Sequence, residues 1–357
     1  MLNFTVGPVM SSENVRKIGA EQTPYFRNQE FSNIMFENEN LMKKFVYADE
    51  DSRVVFITGS GTAAMEATVM NVFTKEDKVL IVNGGGFGQR FVELCRIHEI
   101  PYHEIKLDFG QDISNDILVE YSNKGFTGFL VNICETSSGI YYNLDLISDF
   151  CVKNNIFLVV DAISSFLANP LNMKAQNIGA MITGSQKALA CPPGISIVVL
   201  SKDALKRVET NQVKSMYFDI KDMLKNADRG QTPFTPAVGI LIQINQRLKE
   251  IESQGGVEAE INRIQQLAND FRNRISNLPF EIKTESLSNS VTAVYGNNVL
   301  KIVDKLKTDY KIWVNPNGGE LADKMFRVGH IGDLTFEDND KLIDALHDLE
   351  KRGIIHD

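Results

Sequence analysis

Lys187 stands in the run Thr183-Gly184-Ser185-Gln186-Lys187, directly after the apolar segment Ile178-Gly179-Ala180-Met181-Ile182. Upstream, a second apolar segment, Phe157-Leu158-Val159-Val160, ends in Asp161. A lysine at a strand end, with an aspartate on a neighbouring strand, suits Schiff-base chemistry with pyridoxal phosphate. The carboxylate would keep the pyridine nitrogen protonated. An aspartate ending a buried strand costs several kcal/mol unless it is paired. A pyridinium, an arginine or a helix start could each be its partner.

Three further groups follow predicted strands, and a fourth lies inside an apolar strand-like run. Ser60-Gly61-Thr62-Ala63-Ala64-Met65-Glu66-Ala67 opens a predicted helix. Small residues and outward N–H groups there could cradle a phosphate, with Ser60 and Thr62 adding hydroxyls, or those hydroxyls could simply cap the helix. Asn83-Gly84-Gly85-Gly86-Phe87-Gly88 resembles a dinucleotide fingerprint, but its third glycine comes one residue early and Phe87 would crowd a pyrophosphate. Phe87 could instead stack on a pyridine ring, or only pack beside a turn. Glu135-Thr136-Ser137-Ser138-Gly139 could bond a phenolic oxygen of the cofactor or form a turn on its own backbone. Arg327, in Met325-Phe326-Arg327-Val328-Gly329-His330, suits a bidentate clamp on a carboxylate or phosphonate, with a structural salt bridge as the competing reading. His330 reads as a packing residue, since a released lysine can move the proton itself.

The elements that must position these residues alternate short apolar runs with amphipathic stretches from Val54 to Leu200, which predicts repeated strand–helix units in a largely parallel sheet. Strands are predicted at 54–57, 78–82, 128–132, 156–160, 180–183 and 195–200. Ligands of such a sheet bind beyond the carboxyl ends of its strands. A composition change at 222–236, with a loop at 226–233, precedes a long helix from Ala237 to about Gln254 that Gly255-Gly256 stops. Another helix near 257–278, a strand at 291–295 and a final helix at 336–351 form a smaller C-terminal unit. With 357 residues, one large and one smaller domain are expected: 1–15 as an N-terminal segment, 16–240 as the large domain, 241–357 as bridging helix and small domain.

A formal charge of −9 argues against broad attachment to nucleic acid or an anionic membrane. The start lacks a secretory signal, and no apolar run reaches the roughly 18 residues of a membrane helix. Cys95, Cys134, Cys151 and Cys191 form no CxxC pair and read as reduced, largely core thiols. A cytoplasmic protein without a metal site is expected.

Taken in order, Thr5-Val6-Gly7-Pro8, Gly59 to Ala67, Asn83 to Gly88, Glu135 to Gly139, Val160-Asp161-Ala162, Gly184-Ser185-Gln186-Lys187 and Phe326 to Gly332 resemble the class V aminotransferases over nearly the whole chain. Glu30 to Met35 and Gly59 to Ala67 look most like 2-aminoethylphosphonate:pyruvate aminotransferases, whereas Ser185-Gln186-Lys187 looks like the alanine/serine:glyoxylate or pyruvate group. The resemblance implies an α/β fold of the fold-type I pyridoxal phosphate-dependent transferases, with a mostly parallel central sheet and a smaller C-terminal α+β domain. It implies Lys187 as the Schiff-base lysine, Asp161 on the pyridine nitrogen, Phe87 on the ring, Ser60, Gly61, Thr62 and Gln186 around the phosphate, and Thr136 by the phenolic oxygen. Arg327 and Gly7 would meet the substrate. A homodimer is implied, with Thr235 reaching the phosphate from across the interface, and so is ping-pong transfer between a small amino donor and an oxo acid. The alternatives are an NAD-dependent oxidoreductase built on the Gly84–Gly88 loop and a non-catalytic binding protein on the same fold. A cysteine-dependent desulfurase is disfavoured, because no cysteine follows Cys191.

Overall fold

The computed structural model describes residues 1–356. Its main sheet contains β1 (Arg53–Thr58), β2 (Val79–Asn83), β3 (Tyr102–Lys106), β4 (Gly128–Asn132), β5 (Phe157–Asp161), β6 (Ile178–Gly184) and β7 (Ile195–Leu200), in the order β1-β7-β6-β5-β4-β2-β3. Only β7 runs against the rest. The carboxyl ends of the other six therefore share one edge.

Strand alternation builds three layers. Val55, Ile57, Val79, Ile81 and Leu130 face one side and pack on α1 (Gly61–Val72) and α2 (Gly86–Ile97). Val54, Phe56, Leu80, Val82, Phe129 and Val131 face the other, where α3 (Val238–Ser253) inserts Leu241, Ile244, Leu248 and Ile251. This is the period-2 pleat of strands buried on both faces. Gly255 and Gly256, both at positive φ, turn the chain from α3 straight into α4 (Gly256–Ile275).

A second core joins α4, the antiparallel strands β8 (Val291–Tyr295), β9 (Asn315–Pro316) and β10 (Met325–Gly329), and α5 (Phe336–Lys351). The amino-terminal segment belongs to it. Leu2–Asn3 pairs in parallel with Ile312–Trp313, and Phe4 is fully buried there. A buried ionic cluster ties the two cores. Glu260 bonds Arg247 at 2.6 Å and takes two bonds from Arg263, which also donates to the carbonyls of Gly332 and Leu334.

Two local differences from the sequence reading have physical causes. β3 is not predicted, because it is an edge strand whose Tyr-His-Glu-Ile-Lys pattern buries only Ile105. The segment that changes composition at 222 is still helical, from Ile220 to Ala227 and capped by Asp219, so the irregular stretch begins at Asp228.

Candidate active site

Lys187 follows β6 and is 8% exposed. Its ammonium donates to the Val6 carbonyl. Burial lowers its pKa to about 8, Cys134 opposing the shift and Arg327 adding to it. The amino-terminal segment thus lies directly over the lysine. At Gly7, with φ +125°, a Cβ would stand 2.8 Å from Lys187 Cδ and 3.2 Å from the Gln186 carbonyl. Gly7→Ala is expected to cost roughly 1–3 kcal/mol through left-handed strain and that overlap. Urea unfolding of the variant checks the loss, and turnover should fall with it, because the clash displaces the lysine stem.

Asp161 closes β5 with no exposed surface. One oxygen accepts from the Ile163 N–H at 2.8 Å and the other from Asn132 Nδ2 at 2.8 Å. Among the described residues no lysine or arginine pairs with it. Burial without a counter-charge raises its pKa to about 6, against the pull of those two bonds. Of the partners considered from sequence, an arginine is absent among the described residues, the turn after β5 supplies only the Ile163 N–H, and no positive charge is paired with the carboxylate. Asn132 carries a legible signal, as the one polar residue ending the apolar run of β4, yet sequence reasoning passed over it.

Ser60 holds the N-cap position of α1, but its hydroxyl makes no capping bond. Gly61 sits against Ile163, where a Cβ would come within 2.3 Å of Cδ1, so the start of α1 is pressed to the loop after Asp161. Thr62 accepts from Arg90 Nη1 at 3.0 Å. Gln186 lies between Lys187 and β6, half-buried.

The 83–88 turn is ordered from the next loop. Glu135 is buried and accepts from the N–H groups of Phe87 at 2.9 Å and Gly88 at 3.2 Å, and from the Ser137 hydroxyl at 2.6 Å. A carboxylate already occupies the anion position at the start of α2, where a pyrophosphate would have to bind. The dinucleotide reading of Gly84–Gly88 fails for that reason. Glu135 is likewise committed to α2. Thr136 is buried, its hydroxyl 2.7 Å from that of Ser164.

Arg327, on β10, donates to the carbonyls of Thr136 at 3.4 Å and Pro316 at 3.3 Å, while its buried Nε has no partner. Among the described residues no carboxylate pairs with it, which sets aside the structural salt bridge. Burial lowers its pKa, with Glu135 pulling the other way. His330 is a neutral packing residue. Arg272 Nε donates to Thr292 Oγ1 at 2.9 Å, and that hydroxyl is hydrogen-bonded to His330 Nε2 at 2.8 Å. Burial, reinforced by Arg272, holds the imidazole pKa well below its usual value. Thr235 is exposed in the turn before α3 and touches none of these groups, while Ala237 N–H ties that turn to Thr58 at the end of β1.

Lys187 and Asp161 thus lie at the carboxyl edge of the main sheet, and Arg327 approaches that edge from β10 of the smaller sheet, none of the three consumed by an ion pair. A family model for aminotransferase class-V matches residues 18–312. The chain belongs to the class V aminotransferases. Pyridoxal phosphate is the cofactor of such an enzyme, and the donor set fits it: a lone buried carboxylate for the ring nitrogen, a buried lysine for the aldehyde, and uncommitted hydroxyl and N–H donors at the start of α1 for the phosphate. The 2-aminoethylphosphonate–pyruvate transaminase of Phocaeicola vulgatus is 28% identical over 98% of this class V aminotransferase and 99% of its own length. The L-aspartate–glyoxylate aminotransferase of Paracoccus denitrificans is 27% identical over 93% and 86%. The solved aspartate aminotransferase of Thermus thermophilus shares the fold at a TM-score of 0.91, with 23% identity over 99% of both chains. No helix of the described residues is long and apolar enough to cross a membrane.

Proposed function

We propose that this class V aminotransferase moves an amino group from a small donor, 2-aminoethylphosphonate, alanine or serine, to pyruvate or glyoxylate. L-Aspartate joins the donors to be tried, given the relative that acts with glyoxylate. The reading rests on Lys187 and Asp161, buried at the carboxyl edge of the main sheet, and on Arg327, which reaches the Thr136 carbonyl beside that edge from β10, each without an oppositely charged protein partner. Bound pyridoxal phosphate supplies an electron sink for the pair left when the donor's C–H bond beside nitrogen breaks. Asp161 stabilises positive charge at the ring nitrogen. Lys187, with its pKa near 8, is neutral often enough near neutral pH to accept that proton on Nζ and return it elsewhere. Arg327 grips the donor's acid group and so fixes which bond faces Lys187. Gly7 lines the same space. Ser60, Gly61, Thr62 and Gln186 take the phosphate, Phe87 covers the ring, and Thr136 stands by the phenolic oxygen.

The donor product leaves before the oxo acid enters, giving ping-pong order. A homodimer would bring the exposed Thr235 of one subunit to the phosphate of the other. Residues 1–15, 16–240 and 241–357 act as N-terminal segment, cofactor-binding domain, and bridging helix with small domain. The four buried, unbridged cysteines suit a reducing cytoplasm.

The test is to add each donor singly to the holoenzyme and follow its visible absorption. One donor should bleach the band, and pyruvate or glyoxylate should restore it. In Arg327→Gln, KM for that donor should rise about 10- to 100-fold, as expected for losing a charged clamp. Bleaching by none of the four donors would reject the substrate assignment.

A further inference from the structure

Arg90 lies on α2, three residues beyond Phe87. Its guanidinium carbon sits 4.9 Å from the centre of the Phe87 ring, and its Nη1 donates at 3.0 Å to Thr62 Oγ1 on α1. Among the described residues no aspartate or glutamate forms an ion pair with it. One side chain therefore spans the starts of two helices, and it touches two residues assigned to the cofactor by independent reasoning.

We propose that Arg90 is a positioning residue that aligns the Thr62 hydroxyl and the Phe87 ring for pyridoxal phosphate. The donor accounting at Thr62 is decisive. A hydroxyl has one hydrogen, and arginine can only donate. With Arg90 supplying the bond to its oxygen, the Thr62 O–H is left to donate outward, and a phosphate oxygen is purely an acceptor. At Phe87, Glu135 fixes the backbone N–H while Arg90 covers one ring face, a cation–π contact that leaves the other face for a flat ligand. Arg90 also acts on Asp161 through space, favouring its ionised form.

The inference rests on the placement of the cofactor proposed above, and the test separates the two. Pyridoxal phosphate is titrated into apoprotein while protein fluorescence quenching is followed. Arg90→Met should weaken binding about tenfold, the scale of one cation–π contact plus one charge-assisted hydrogen bond, partly offset by relaxation. Arg90→Lys, which keeps charge over the ring, and Arg90→Gln, which keeps a donor for Thr62, should each recover part of that loss. They also carry the test if the methionine variant folds poorly by circular dichroism. In a Thr62→Val/Phe87→Leu background, adding Arg90→Met should change affinity less than about twofold, because nothing remains to align. Wild-type affinity in Arg90→Met would overturn the proposal. So would a full tenfold loss in the double-variant background, which would make Arg90 a direct ligand. Failure of wild-type protein to take up the cofactor would instead overturn the site assignment and this proposal with it.

Discussion

Lys187→Ala is expected to lower kcat by at least about 10³-fold, the combined loss of a nucleophile and a proton carrier. The fold should survive. The lysine's recorded hydrogen bond is to the Val6 carbonyl, and its burial already depresses its pKa from 10.5 to about 8. A base with a depressed folded pKa opposes folding while it is charged. That penalty is full below about pH 8, roughly 3 kcal/mol at 1.36 kcal/mol per unit, and fades as pH rises to 10.5. Removing the side chain lifts the penalty but leaves a cavity costing a similar amount. Near neutral pH the variant's stability should therefore lie within a few kcal/mol of wild type. The wild type should gain on it between pH 8 and 10.5. Turnover, denaturant unfolding across that pH range, and borohydride reduction, which should fix the cofactor covalently to wild type but not to the variant, together check the expectation. Retained turnover would reject Lys187 as the reacting amine.

Asp161→Asn should reduce turnover by about 10²- to 10⁴-fold while making the apoprotein more stable at neutral pH. A neutral amide cannot hold a proton on the ring nitrogen, so the electron sink weakens. The stability gain has a different origin. An acid with a raised folded pKa is favoured in its neutral form on folding, so stability is highest below the unfolded value of 3.8 and falls as pH rises to about 6. Above that the penalty is about 3 kcal/mol, and the amide does not suffer it. Hydrogen bonding need not suffer either. The new carbonyl can accept from Ile163, and Asn132, whose Oδ1 has no partner, can turn its amide to accept from the new NH₂. Opposite changes in activity and apoprotein stability are the signature of a functional charge held at a structural cost. A variant less stable than wild type at pH 7 would mean that the carboxylate serves the fold.

The strands of the main sheet that sequence reading finds are those buried on both faces, because an uninterrupted apolar run advertises itself. β3 escapes, since an edge strand may alternate charges and still pair. The residues proposed for the site stand out in the sequence where chemistry restricts the choice: a lysine after β6, an aspartate closing β5, an arginine inside β10. Their supporting bonds were not. Glu135 reads as a ligand for the cofactor, yet its carboxylate crosses 48 positions to cap α2, and local pattern carries no trace of such a partnership. Asn132 and Arg90 are hidden for the same reason, each defined by a neighbour on another element. Arg327 is assigned by residue type and family resemblance; its lack of a protein carboxylate appears only in three dimensions.

The segment over Lys187 sets an order of events during synthesis. Residues 2–6 are made about 300 residues before their partners, Ile312–Trp313, Asn315 and Gly329. Closing a loop of more than 300 residues is entropically costly, though the cost grows only logarithmically with length. The large sheet can form long before that. Until the last strands are made, the carbonyl of Val6 has no fixed place and the lysine amine has no acceptor. A nascent chain should therefore hold its central sheet while its reactive centre is still open to water, and cofactor capture should await synthesis of β9 and β10.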